Sequence, residues 1–453
     1  MFGFSMIQMV RRHSKKMDFT LRQNLMNLYR PFRWTPCFLH GMFENTLKSL
    51  RSFPVIVEFE NHECFEEGLS SLQKVSNKYA NCKMKQHFSS VNCCSAHLTP
   101  RGLEDLLDNC GHIRKIHMDR EVRALLNVAK PSILADHAEV VNQAGEPLTG
   151  KGITIAIIDT GIHPHEDLGE RIIDFVDLVG SNDTAYDDNG HGTHCAGDAA
   201  AAGKYAGPAP SAKLVGVKVL DKLGSGSLST VMNGVQWCID NNKNPKRTYT
   251  IDIISMSLGS TPDRPAKDDP MVQIVEKAWS EGIVVCVAAG NSGDDPQTIS
   301  SPGNSPVVIT VGAMDDKDTI PSSEDDYDDE VASFSSRGPT RFDNFPKPDI
   351  LAPGLNIISL RAPNSYLDKL QKSSRVEELY FELSGTSMAT PICAGVVAQL
   401  LELNPNLSPD QVKEKLRLGA KPWGDRDKNV YGAGYLDVKR SVELVKELGQ
   451  PSS

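Results

Sequence analysis

Past position 194 the chain has no histidine: all twelve lie at or before that point in its 453 residues. Imidazole chemistry that needs a base downstream of it is thereby excluded. Long apolar runs are scarce as well, and no stretch approaches the roughly 20 consecutive residues that a membrane-spanning helix needs. The ten cysteines show none of the paired spacing of a zinc site. Positive charge is not in excess: the net charge is −10 and the pI near 5.7, which speaks against a nucleic-acid binder. The chain start lacks the order of a secretory signal, because the apolar Met1–Val10 precedes Arg11 and Arg12 instead of following them. The expectation is a cytoplasmic protein with reduced thiols. Cys286 and Cys393 sit in apolar runs where a free thiol packs well.

What is present divides into three stretches. Residues 1–50 are locally basic (Arg11, Arg12, Lys15, Lys16, Arg22, Arg30, Arg33) and show no clear period, so a poorly defined, solvated leader is expected. Residues 51–126 alternate strand and helix signals. Phe53–Glu60 looks like a strand, 64–78 a helix, Lys85–Thr99 a long strand or hairpin, Pro100–Cys110 a helix and Ile113–Met118 a final strand. That order suggests a small α+β, split-βαβ module of ferredoxin-like type. From 127 to 453, near-continuous apolar runs (Ile153–Ile158, Lys213–Leu220, Ile251–Ser257, Ile283–Ala289, Pro306–Val311) alternate with helical stretches. The pattern predicts an α/β, doubly wound, mainly parallel sheet with its site at the carboxyl ends of the strands. The acidic run 315–330 reads as a solvated insertion, and 361–380 as a polar one.

Three glycine-framed strings carry the chemistry: Ile157-Ile158-Asp159-Thr160-Gly161, His191-Gly192-Thr193-His194-Cys195-Ala196-Gly197 and Ser384-Gly385-Thr386-Ser387-Met388-Ala389. A serine hydroxyl is a poor nucleophile until an imidazole takes its proton, and the imidazole needs an oriented carboxylate. The histidine distribution forces the base for Ser387 to come from upstream and excludes the order Ser…Asp…His. His191 and His194 are the candidates. As an i, i+3 pair they could also hold a metal, but no carboxylate or histidine follows at metalloprotease spacing. Gly385 before Ser387 and Pro391 after it predict a helix starting at the serine, whose free N–H groups and dipole favour negative charge there.

With these strings the chain resembles the subtilisin-like serine proteases (subtilases), from about Val128 to Gly434. Supporting strings are Ser257-Leu258-Gly259, Ala288-Ala289-Gly290-Asn291-Ser292-Gly293, Phe334-Ser335-Ser336-Arg337-Gly338-Pro339 and Lys347-Pro348-Asp349-Ile350-Leu351-Ala352-Pro353-Gly354. It is closer still to their unsecreted bacterial alkaline members. The resemblance implies Ser387 as nucleophile, His191 as base and then acid, Asp159 as orienting carboxylate and Asn291 as oxyanion donor. It implies that Gly224, Ser225 and Gly226 face Ser257, Leu258 and Gly259 across a cleft that takes protein or peptide substrates as an added strand. Ala288, Ala289 and Gly290 would wall a first specificity pocket roomy enough for bulky apolar or aromatic residues. No cofactor is needed for the chemistry. A structural Ca²⁺ is implied at Asp349 with carbonyls from Gly303 to Val308. Cys195 beside the base suggests sensitivity to thiol reagents. The 51–126 module would be an inhibitory prodomain whose tail, Ala124-Leu125-Leu126-Asn127, lies in the cleft and is cut near Leu126. A peptide-binding protein without activity and an esterase with the same triad are the alternatives at this point.

Overall fold

A computed structural model describes residues 5–28, 48–124, 140–142, 144–315, 330–422 and 427–448. The chain divides into two compact units, Met1–Arg120 and Glu121–Ser453. In the first, β1 (Phe53–Phe59), β2 (Lys83–Phe88), β3 (Cys93–Leu98) and β4 (Ile113–Met118) form an antiparallel sheet in the order β2-β3-β1-β4. Of the long strand or hairpin expected over Lys85–Thr99, the structure has the hairpin, β2 and β3 paired antiparallel and turned at Asn92 in a left-handed conformation (φ 51°) that asparagine tolerates. The helix His62–Lys78 begins where the Asn61 side chain accepts from the Cys64 N–H at 2.9 Å, and it buries Phe65, Gly68, Leu72 and Val75 at helical spacing. The helix Pro100–Asn109 is capped by Thr99, with proline in its first turn.

The leader departs from expectation. Helices Ser5–Arg12 and Phe19–Asn27 are ordered parts of the first unit, and Met9, Val10, Met17, Leu21, Leu25 and Leu28 lie in its core. Asp18 fixes the second of them: its carboxylate accepts from Leu21 N at 2.6 Å and from Met118 N, on β4, at 2.8 Å. Leu21, Leu25 and Leu28 follow a helical period, but the basic residues interleaved with them masked it in the sequence. Arg11, Arg12 and Lys15 are exposed, so the charge is the solvated face of a packed element.

The second unit is built on β6 (Thr154–Asp159), β7 (Ile172–Asp177), β8 (Lys213–Lys218), β10 (Ile253–Met256), β12 (Val284–Ala288), β13 (Ile309–Asp315), β14 (Glu330–Val331) and β15 (Ile350–Pro353), in one eight-stranded sheet. The order is β14-β13-β12-β10-β6-β8-β7, with β15 also paired to β13, and all pairings but that of β14 are parallel. Every residue of β6, β10 and β12 is buried, as strands covered on both faces require. A smaller antiparallel sheet joins β5 (Glu121–Ala124), β9 (Ser225–Ser227) and β11 (Leu258–Gly259) in the order β11-β5-β9. The boundary between units therefore falls at residue 120 and not at 126, because β5 belongs to the sheet of the second unit.

The helix Thr386–Leu403 packs on β10, β12, β13 and β15 and on the helix His191–Ala200. It is long and apolar enough to cross a membrane, but it is 89% buried and serves as a core helix. The two helices approach closely because Gly395 has no side chain: a Cβ there would lie 2.7 Å from the Ala199 carbonyl. Leu126 and positions 316–329 of the acidic run lie outside the described residues.

Candidate active site

Asp159 is the last residue of β6, so its carboxylate stands at the carboxyl end of the sheet. Its Oδ1 lies 2.7 Å from His191 Nδ1 and also accepts from Thr160 N at 2.7 Å. Both partners are fully buried. His191 opens its helix directly after Gly190, whose φ of 106° suits glycine. Gly192 has to be glycine, since a Cβ would come within 2.1 Å of the Gly161 carbonyl. The loop ahead of the helix is held by Asp187, a residue that sequence reading missed. Its carboxylate accepts from Asn189 N, Gly190 N, Thr193 N, Thr193 Oγ1 and Thr160 Oγ1 at 2.6–3.0 Å. The Asp187-Asp188-Asn189-Gly190 turn signal before a helix start was the available clue.

Burial alone would disfavour the imidazolium. The Asp159 charge and hydrogen bond, with Asp187 and Asp198 behind, outweigh it and hold His191 above its usual value. His194 is spent elsewhere: Nδ1 meets Asp198 at 2.9 Å, and Nε2 meets the carbonyls of Ile357 and Phe381 at 3.1 and 3.0 Å. It pins structure and is neither base nor metal ligand. The Cys195 sulfur lies 3.9 Å from His191 Nδ1, but burial pushes its thiol well up.

Ser387 sits in the first turn of the helix Thr386–Leu403, where backbone N–H groups have no intrahelical partner. Pro391, four residues on, has no N–H to give the Ser387 carbonyl. Ser257 takes up that oxygen instead, donating its hydroxyl at 2.7 Å, while Ser387 Oγ donates to the Ser257 carbonyl at 3.2 Å. Asn291 Oδ1 accepts from Thr386 N at 3.0 Å and Thr386 Oγ1 at 2.8 Å, which fixes the amide beside the serine and leaves its nitrogen free of those bonds. Three buried polar atoms of the site have no hydrogen-bond partner among the described residues: His191 Nε2, Asn291 Nδ2 and Asp159 Oδ2.

The expected cleft edges face each other across a strand of the chain itself. β5 pairs antiparallel with β9 (Arg123 with Ser225, Val122 with Gly226) and with β11 (Ala124 with Leu258, Arg123 with Gly259). Of the expected edge residues, Gly224 closes the turn from Asp221, and Ser257 is engaged with Ser387, so neither pairs with β5. Ala288, Ala289 and Gly290 extend β12 toward the nucleophile: Gly290 N donates to Thr386 Oγ1 at 3.3 Å.

Asp349 is far from fitting a metal. Its Oδ2 accepts from Lys347 Nζ at 2.5 Å and Thr310 N at 2.9 Å, and its Oδ1 lies 3.0 Å from Lys413 Nζ. The carbonyls of Pro306, Val307 and Val308, expected around a cation, point instead at the same Lys413 ammonium.

The Subtilase family model matches residues 150–434. The chain is 55% identical over 450 residues to serine protease AprX of Bacillus subtilis (strain 168), covering 98% of this chain and 99% of that one. It is 32% identical to subtilisin E of the same organism, covering 80% of this chain and 83% of the other. Among solved structures, fervidolysin from Fervidobacterium pennivorans shares the fold with a TM-score of 0.64 at 21% identity, covering 87% of this chain and 61% of that one. The chain belongs to the subtilase family and is a serine endopeptidase.

Proposed function

We propose that Ser387 is the nucleophile of this endopeptidase, with His191 as its base, Asp159 as the orienting carboxylate and Asn291 as the oxyanion donor. The observation that carries the reading is the set of unpartnered atoms, His191 Nε2 and Asn291 Nδ2, beside a serine at a helix start. Buried polar groups are normally satisfied, so such a pair supports a site waiting for a reacting group. As Ser387 Oγ attacks the peptide carbonyl, Nε2 takes its proton. The tetrahedral oxyanion is met by Asn291 Nδ2 and the Ser387 N–H. Cleavage of the C–N bond then returns the proton to the leaving amine, and water, activated by the same imidazole, releases the acyl group.

Substrate would enter as a strand between residues 224–226 and 258–259, with main-chain bonds supplying most of the affinity. β5 already uses those edges, which supports a self-inhibited precursor in which the chain ahead of the cut occupies the cleft. The Ala124–Leu258 pair brings the described end of β5 to the residue after Ser257, whose carbonyl accepts from Ser387 Oγ at 3.2 Å. We accordingly place the maturing cut near Leu126, as the sequence suggests. Small walls at Ala288, Ala289 and Gly290 support a preference for bulky apolar or aromatic residues before the cut. The nine described cysteines are unpaired and eight are buried, which supports work in a reducing compartment such as the cytoplasm.

Fluorophosphonate labelling, followed with casein hydrolysis, tests the assignment. Labelling and hydrolysis should both vanish in Ser387→Ala. Labelling that persists in that variant would overturn it.

A further inference from the structure

We infer that the ammonium group of Lys413 is a built-in cation: it fills an oxygen cage beside the specificity-pocket wall and makes a bound metal unnecessary there. The cage is formed by three consecutive carbonyls and one carboxylate oxygen: Pro306 O at 3.1 Å, Val307 O and Val308 O at 2.9 Å each, and Asp349 Oδ1 at 3.0 Å. Successive peptide carbonyls converge on one point only when something positive balances their dipoles. Oxygen-only ligation of this sort is what a hard cation such as Ca²⁺ selects. Here the distances are those of N–H···O bonds, and Ca²⁺ would need the oxygens at 2.3–2.6 Å. The three ammonium protons of Lys413 share the four acceptors.

A metal could not simply join this group. The other Asp349 oxygen already carries Lys347, whose ammonium also donates to Thr310 Oγ1 at 2.9 Å and Val308 O at 3.2 Å. An added divalent ion would meet two ammonium groups around a single carboxylate. Glu276, another acid nearby, accepts from Ser305 Oγ at 2.7 Å. Lys413 projects from the helix Pro409–Gly419 and is largely buried. A tethered cation has a high effective concentration and is lost neither by dilution nor to a chelator.

The cage holds the segment that supports the pocket wall. Thr310 Oγ1 donates to Gly303 O at 2.8 Å, Ser300 N donates to Ala289 O at 2.8 Å, and a Cβ on Gly303 would touch the Ala288 carbonyl. Lys413 is therefore a positioning residue for the pocket. That part rests on the proposed function, whereas the cage itself does not.

Thermal unfolding of the full chain in a Ser387→Ala background, which cannot digest itself, tests the cage without needing activity. The parent's Tm should ignore both EDTA and added Ca²⁺. Lys413→Ala should lower Tm by about 3–8 °C, the effect of a few lost charged hydrogen bonds in a domain of this size. Propylammonium or K⁺ should restore the loss in a saturable way, and tetramethylammonium, which has no N–H donor, should restore less than propylammonium. In the active enzyme, the same substitution should raise KM for bulky residues before the cut more than it lowers kcat. A parent Tm that falls with EDTA and recovers with Ca²⁺ overturns the inference, as does an unchanged Tm in Lys413→Ala or a loss that neither cation restores. Should Lys413→Ala not fold, the parent's response to chelator and Ca²⁺ decides alone.

Discussion

Two buried aspartates of the second unit, Asp159 and Asp349, each hold a cationic or cation-forming partner and yet do opposite work. At Asp349 both oxygens are taken, by Lys347 and Thr310 N on one side and Lys413 on the other. At Asp159 one oxygen holds His191, while the second oxygen, the far nitrogen of the imidazole and the nearby Asn291 nitrogen have no hydrogen-bond partner among the described residues. The Asp349 carboxylate is fully engaged, whereas the Asp159 group keeps unused hydrogen-bonding capacity beside Ser387. The partners differ in kind as well. The lysines serve as hydrogen-bond donors to a fixed carboxylate, whereas a histidine can take a proton and return it within one turnover.

Breaking the reactive side should have the largest effect. Asp159→Asn should cut turnover about 10⁴-fold with little change in KM, the size known for a triad aspartate, measured by steady-state hydrolysis of a peptide substrate. Asn291→Ala should cost on the order of 100–1000-fold in turnover, a range that comes from subtilisin itself. Its KM should hold, since the donor acts on charge that exists only in the transition state. The pH profile sharpens the contrast. His191 must be neutral to act, and its folded value is raised above 6.5 by Asp159 despite burial. Activity should therefore rise with pH through an inflection above 6.5 and so favour alkaline conditions. The stability that protonated His191 contributes runs the other way: it is full below 6.5 and is lost as pH climbs through the raised value.

The structural side should respond most weakly and with its own sign. Burial lowers Lys347 from 10.5 to about 7, against the pull of Asp349. Between those values the unfolded chain binds more protons, so this lysine costs stability that is recovered as pH rises from 7 toward 10.5. The Tm of Lys347→Met relative to the parent should therefore improve as pH falls across that window, and a difference independent of pH would contradict the account.

Much of this was legible in the sequence because glycine, proline and histidine are constrained types. Gly161 and Gly192 frame Asp159 and His191 for steric reasons, and the absence of histidine after 194 left only upstream bases. The parallel sheet showed in its continuous apolar runs. What was hidden depends on long-range partners. Asp187 looks like any turn aspartate until five donors converge on it. Lys413 is one of many helix lysines, and only folding brings it to Asp349 and the carbonyls of 306–308. The bonds of Ser257 to Ser387 were hidden too, because they follow from the N–H that Pro391 lacks. The first helices were hidden by their own solvated charges.

The most direct measurement is the N-terminus of the purified protein, read by intact mass. The account predicts that active protein begins near Leu126, while Ser387→Ala remains uncut. Full proteolytic activity from a chain with its first 125 residues still attached, or an identical cut in Ser387→Ala without added protease, would contradict it.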